Sequence, residues 1–205
     1  MLTIDLIDMG LPKAHRYLLG AVGPRPICFA STVDEKGVPN LAPFSFFNVF
    51  SSNPPIAVFS PSRSGRTGAH KDTYNNVKKV NEVVINLVDY SMVEQMSLAS
   101  SPYGPEVDEF IKSGLTPIES ETIKPFRVKE SPVQLECKVI EVKELGEEGG
   151  SGNLIICKIL RMHVSDHILD NNQMIDQEKI DLVARMGGDW YCRTDKNSML
   201  SLIHI

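Results

Sequence analysis

The chain has 205 residues, 42% of them apolar, enough for one well-buried core and at most a small appendage. Its formal net charge of −5 argues against a nucleic-acid surface, which is normally basic, so basic residues matter only where they cluster. No run approaches the roughly 18 apolar residues needed to cross a bilayer, and Met1-Leu2-Thr3-Ile4-Asp5 carries acid where a signal peptide carries Lys or Arg. A soluble, cytoplasmic protein is expected.

Residues 1–20 are mixed in character and read as an N-terminal arm. Pro26 to Val33 reads as a strand, and Asp34-Glu35-Lys36-Gly37 as a hairpin turn in which Gly37 supplies a positive φ. Val38 to Phe50 reads as a second extended segment. Pro39 and Pro43 lie inside it and cannot donate to a ladder, so this strand is an edge or is bulged there. Bulges tend to lie beside functional sites. Ile56 to Ser60 is a third short strand, bounded by Pro54-Pro55 and Pro61.

A short helix is predicted over 73–80, a buried strand over Val83 to Val88, and helical segments over 90–100 and 105–112. Val133 to Val142 alternates apolar and polar residues; Leu154 to Val164 is apolar on both faces at its start and reads as central. The glycine-rich turn between them, 147–152, predicts a hairpin. A short helix near 178–183 and an apolar tail at 199–205 complete the chain. The pattern is mainly β with inserted helices. It predicts a small antiparallel barrel in a single domain spanning 1–205, and the lack of regular strand–helix alternation counts against a doubly wound parallel fold.

Cys28, Cys137, Cys157 and Cys192 form no C-x-x-C pair, and the first three sit in apolar runs, so they read as small buried hydrophobes. His163 and His167 have an i, i+4 spacing that suits a metal only on a helix, whereas the preceding residues read as strand; no metal site is expected.

The richest chemistry lies at 60–76. There Ser60, Arg63, Arg66 and Lys71 precede a helix start at which Asp72 or Thr73 can cap. A helix N-terminus with cations beside it is a seat for phosphate. The plain alternative is a solvated polar loop ahead of a capped helix. Gly65-x-x-Gly68-x-x-Lys71 resembles a P-loop but lacks its Gly-Lys-Ser/Thr ending, and Gly20-x-x-Gly23 is not a dinucleotide fingerprint. A second element shifts the balance. Asn40, Ala42, Pro43, Phe44 and Ser45, with Ser51, Ser52 and Asn53 beyond, place amides, hydroxyls and aromatic rings around a strand defect, a pattern suited to a flat heterocycle. Ordinary core phenylalanines would account for Phe44 and Phe46 but not for the Asn and Ser positions.

At these residues the sequence resembles the flavin reductase-like family, including flavoredoxin-type proteins. The matching motifs are Gly23-Pro24-Arg25-Pro26-Ile27, Ser31-Thr32 through Gly37 to Asn40-x-Ala42-Pro43-x-Ser45, Asn53-Pro54-Pro55 and Lys71-Asp72-Thr73-x-x-Asn76. Further along come Val107-Asp108-Glu109-Phe110, Ser131-Pro132 to Glu136-Cys137 and Arg185-x-Gly187-Gly188-x-x-Tyr191. Each is short; their colinearity over nearly the whole chain makes the match.

The resemblance implies an FMN-binding split β-barrel, antiparallel and of Greek-key type. It implies Asn40 and Ala42 to Ser45 along the isoalloxazine ring, with Ser51, Ser52 and Asn53 nearby. Ser60, Arg63, Lys71, Asp72 and Thr73 would surround the phosphate; Arg66 and His70 fall outside the motif. Arg185 either reaches the site or makes a structural ion pair. A homodimer is also implied, with Trp190, Tyr191 and the tail as candidate surface. The implied activity is flavin reduction: hydride passes from NADH or NADPH to FMN, and the protein supplies orientation and water exclusion. No side chain need act as acid, base or nucleophile, so no catalytic residue is assigned. The alternative is a non-enzymatic FMN electron carrier serving a protein partner.

Overall fold

The computed structural model describes residues 1–104 and 106–201. Helix α1 (Leu11–Ala21) precedes β1 (Arg25–Pro26), β2 (Cys28–Val33), β3 (Pro39–Phe44), β4 (Phe47–Ser52) and β5 (Pro55–Phe59). Helix α2 (Asp72–Val80), β6 (Glu82–Asn86), α3 (Val93–Ala99) and α4 (Glu109–Ser113) follow. The chain continues through β7 (Pro117–Ile118), β8 (Arg127–Val128), β9 (Val133–Glu144) and β10 (Asn153–Val164) to α5 (Gln177–Ile180), β11 (Val183–Arg185) and β12 (Tyr191–Arg193).

Seven strands form one antiparallel sheet in the order β3-β2-β6-β9-β10-β5-β4. Strands β3 and β4 lie at opposite ends of that order, yet only Ser45 and Phe46 separate them in the chain. Three residue steps span at most roughly 11 Å, whereas six flat interstrand spacings cover roughly 29 Å. The sheet must therefore curl until its two edges approach. It does not close, because β3 and β4 share no ladder.

The curl leaves two cores. Strand β2 divides them by its period of two: Cys28 and Ala30 face a cluster with Phe59, Val83, Ile85 and Leu135. Ile27 and Phe29 face a second with Leu41, Met96, Phe110 and Val183, covered by α3, α4 and β11. All six residues of β2 are consequently buried.

The predicted hairpin is β9–β10, and β10 lies inside the sheet between β9 and β5. Three expectations need correction. Val38 to Phe50 is two strands, broken at Ser45–Phe46; its prolines sit on edge strand β3 without a register shift, and the bulge lies in β4 between Val49 and Ser51. The N-terminal arm contains α1, whose Gly10 at φ 77° and Pro12 mark the start. The segment expected as helical over 105–112 is helical only from Glu109, where Asp108 caps the helix with its carboxylate, and Pro105 lies outside the described residues. Of the tail, residues 202–205 also lie outside them.

Cys28, Cys137 and Cys157 are buried free thiols, and burial raises their pKa, that of Cys157 to about 12, so they are inert. His163 donates to Glu136 at 2.8 Å, while His167 sits in a 3-10 turn; no metal-binding cluster occurs among the described residues. None of the helices in the described residues is long and apolar enough to cross a membrane.

Candidate functional site

Six segments of the chain, one of them contributing Ile27 alone, meet around a cleft of about 730 Å³. One wall is the β3–β4 break, with Pro43, Phe44, Ser45 and Phe46. A second is the loop after β5, with Ser60, Ser62, Arg63, Ser64, Gly65, Arg66 and Lys71. The other walls are His15 and Leu19 of α1, and Met96, Ser100 and Pro102 from the α3 region with Arg185 and Tyr191. Among the described residues no Asp or Glu lines the cleft, whereas three Arg, one Lys and one His do. The volume lies within the range of roughly 300–1,000 Å³ usual for small-molecule sites.

The basic loop is held from both sides. Ser64 N–H donates to Ala69 O at 2.9 Å and Gly68 N–H to Ser64 O at 2.8 Å, with Gly68 at φ 70°. The β9–β10 turn braces it: Arg63 N–H donates to Ser151 O, and the buried Asn153 amide to Pro61 O at 2.7 Å. Lys71, rather than Asp72 or Thr73, occupies the α2 N-cap and makes no side-chain cap. The Thr73 hydroxyl is engaged elsewhere, accepting from the Asn40 amide at 3.0 Å; Asn40 and Asn76 both donate to Thr32. That network docks the start of α2 onto β2 and β3, and so aims the helix N-terminus at the basic loop.

Of the residues singled out from the sequence, Pro43, Phe44, Ser45, Ser60, Arg63, Lys71 and Arg185 come together on the cleft. Asn40 and Asp72 line a smaller neighbouring hollow of about 120 Å³, and Thr73 is buried in the Asn40 network. Ala42 lies on β3 without reaching the lining, and Ser51, Ser52 and Asn53 lie at the β4–β5 turn away from it. Arg185 lines the cleft, and it is also engaged within its own hairpin, donating to Tyr191 Oη and Gly188 O at 2.5 Å each, with Asp189 at 3.7 Å.

Sequence reasoning missed the walls from α1 and α3, and it missed the organising role of Arg25. This arginine is 6% exposed and donates to Leu19 O, Val22 O and Met186 O, with Nε 3.4 Å from Ser45 Oγ. It ties the end of α1 and the β11–β12 turn to the strand break. Burial, and then the neighbouring charge of Arg185, lower its pKa from the ordinary value.

Two polar atoms on the cleft residues, Ser60 Oγ and Arg63 Nε, are buried and have no partner among the described residues. Buried polar groups are nearly always paired. A ligand with acceptor oxygens at this end of the cleft would complete them, so the residues fit a phosphate-bearing group.

Residues 21–180 match the flavin reductase like domain. An uncharacterized protein of Aquifex aeolicus is 37% identical over 179 residues, covering 87% of this chain and 89% of its own. The crystal structure of nitrilotriacetate monooxygenase component B from Bacillus cereus superposes with a TM-score of 0.89 at 30% identity, over 100% of this chain and 98% of that one. The 2-nitrobenzoate 2-nitroreductase of Pseudomonas fluorescens gives 0.86 at 26% identity, over 98% and 96%. The chain belongs to the flavin reductase-like family, and a flavin-related oxidoreductase role follows from that membership.

Proposed function

We propose that this protein is an FMN-dependent oxidoreductase, a single-domain split barrel of Greek-key type that takes hydride from NADH or NADPH and passes electrons to flavin or a small acceptor. The observation that carries the reading is the acid-free cationic cleft with its unpartnered Ser60 Oγ and Arg63 Nε.

In this reading Ser60, Arg63 and Lys71, with Ser62, Ser64 and Arg66, hold the phosphate beside the start of α2, where the helix N-terminus favours an anion. Pro43 to Phe46 border the ring, and backbone groups at the break between the two ladders supply the hydrogen bonds that tune it. Ile27, Leu19 and Met96 give the cleft its apolar floor and exclude water. The chemistry such a group supplies when bound is acceptance of a hydride and delivery of two electrons. The chain's own part is to orient and to desolvate, so no acid or base is assigned. Exposed apolar side chains, among them Val49, Phe50, Ile140 and Trp190, support a homodimer in which a second copy covers them. A cytoplasmic setting suits free thiols.

An anaerobic titration of the FMN-loaded protein with each nicotinamide tests the reading. Loss of flavin absorbance with NADH or NADPH alone is the expected result. Bleaching only by a reduced protein donor would instead identify an electron carrier, and protein that takes up no FMN would end both.

A further inference from the structure

Three residues packed behind Arg63, namely Glu144, Tyr74 and His70, play no part in the reading above. Arg63 Nη2 donates to Glu144 Oε2 at 2.7 Å and Nη1 to Gly68 O at 3.2 Å, which leaves only Nε without a partner. Glu144 ends β9, and its other oxygen accepts from Tyr74 Oη of α2 at 2.5 Å. Tyr74 is 6% exposed. The His70 ring stacks on it with centroids 3.7 Å apart and planes 4° from parallel, and His70 Nε2 lies 3.9 Å from Glu144 Oε2.

We propose that Glu144 sets the affinity of the cleft for the flavin phosphate, by orienting Arg63 and compensating its charge; it is a positioning residue that need not touch the ligand. This rests on the reading of the cleft as a flavin site.

The Arg63–Glu144 pair sums to zero, so Arg63 offers the phosphate a donor but little net charge. Lys71 and Arg66 remain unpaired among the recorded ion pairs, but both are exposed and therefore screened. The carboxylate holds its charge firmly: hydrogen bonds from Tyr74 and then Arg63 keep its pKa below the ordinary value. Burial first, and the bond to Glu144 second, push Tyr74 up to about 12, so it stays a neutral donor. A site built this way favours a flavin that exchanges over one that stays. A fully uncompensated arginine at the same place would retain it.

The test compares FMN with riboflavin, which has the same ring and no phosphate, by equilibrium binding followed through flavin fluorescence. Glu144→Gln removes the charge but keeps an amide oxygen for Arg63. Its Kd for FMN is expected to fall roughly three- to tenfold, as for one charge removed a few ångströms from a phosphate in screened surroundings. The Kd for riboflavin stays unchanged, and the gain shrinks as salt is raised. Tyr74→Phe removes a hydrogen bond without changing the charge and should leave the FMN-to-riboflavin ratio within twofold. Arg63→Gln strands the carboxylate and should weaken FMN at least tenfold with riboflavin unaffected. An unchanged ratio in Glu144→Gln, or weaker FMN binding, overturns the proposal. Wild-type protein that binds neither flavin instead overturns the reading of the cleft, and this one with it.

Discussion

Of the three glutamates on strand β9, Glu136 and Glu144 have different tasks, and the contrast shows how position along one strand separates support from function. Glu136, in the middle of the sheet, has a side chain with 0% exposure; Glu144, at the strand end beside the cleft, keeps 41%. Glu136 is saturated from within: the N–H groups of Glu121 and Thr122 donate at 2.8 and 2.7 Å, the Thr122 hydroxyl donates as well, and His163 closes the set at 2.8 Å. Its charge ties the 119–124 loop to the sheet, with Arg127 at 3.8 Å. Glu144 serves fewer partners, and one of them, Arg63, keeps an Nε with no hydrogen-bond partner among the described residues. A carboxylate enclosed by donors holds a fold, whereas one that half-satisfies a cation at a cleft adjusts what that cation can bind.

The largest effect expected from breaking this contrast is on stability. Glu136→Ala strands two backbone donors, a hydroxyl and a histidine in a buried place, and should lower the unfolding free energy by about 3–5 kcal/mol, measured by denaturant titration. The pH dependence sharpens the test. Burial alone would raise the Glu136 pKa, but hydrogen bonds from the Thr122 side chain, Glu121 N–H and His163 outweigh it and hold the group down at about 2. A carboxylate depressed on folding contributes stability above its unfolded pKa of about 4.3, and that contribution is lost as pH falls through the folded value. The gap between wild type and Glu136→Ala should therefore be full above about pH 4.5 and close towards pH 2. A gap that is flat across this window would show that the loop is held by packing instead.

A smaller effect, confined to the ligand, is expected at the cleft. Lys71→Ala removes an exposed cation at the α2 N-cap and should weaken FMN retention roughly tenfold while sparing turnover at saturating FMN. Melting should be unchanged, since Lys71 makes no side-chain cap and no ion pair among the described residues. Normal FMN affinity in this variant would remove the phosphate from this end of the cleft.

What could be read from the sequence divides along the same line as the two glutamates. Local signals were sufficient for β9 and β10, where alternation and a glycine-rich turn announce a hairpin, and for edge strand β3, whose prolines cannot sit inside a sheet. They were sufficient too for the basic loop, because a cluster of cations before a helix start is a local pattern. The break at Ser45–Phe46 was not legible, because the apolar run passes straight through it. It is imposed by pairing, β3 with β2 and β4 with β5 on opposite edges of the curled sheet. For the same reason His15, Leu19 and Met96 escaped notice: nothing near them in the chain says that they share a cleft with Arg63. Helix α1 did leave a signal in Gly10 and Pro12. Arg25 left one in its flanking prolines, which mark a constrained turn but do not show that a buried guanidinium gathers three carbonyls there.

The finest test separates two serine groups that look alike in sequence. Ser60 is 8% exposed, and its hydroxyl has no partner among the described residues; Ser52 is exposed at the β4–β5 turn, outside the cleft lining. Losing an unpaired hydroxyl costs the folded state nothing in hydrogen bonds, so Ser60→Ala should melt at or slightly above the wild-type temperature. In the flavin complex the same hydroxyl would have a partner, and its removal should weaken FMN about three- to fivefold, the size of one neutral hydrogen bond. Ser52→Ala should leave FMN affinity within twofold. A larger loss at Ser52 than at Ser60 would mean that the ligand lies across the β4–β5 turn, and the wall formed by the strand break would then have to be reassigned.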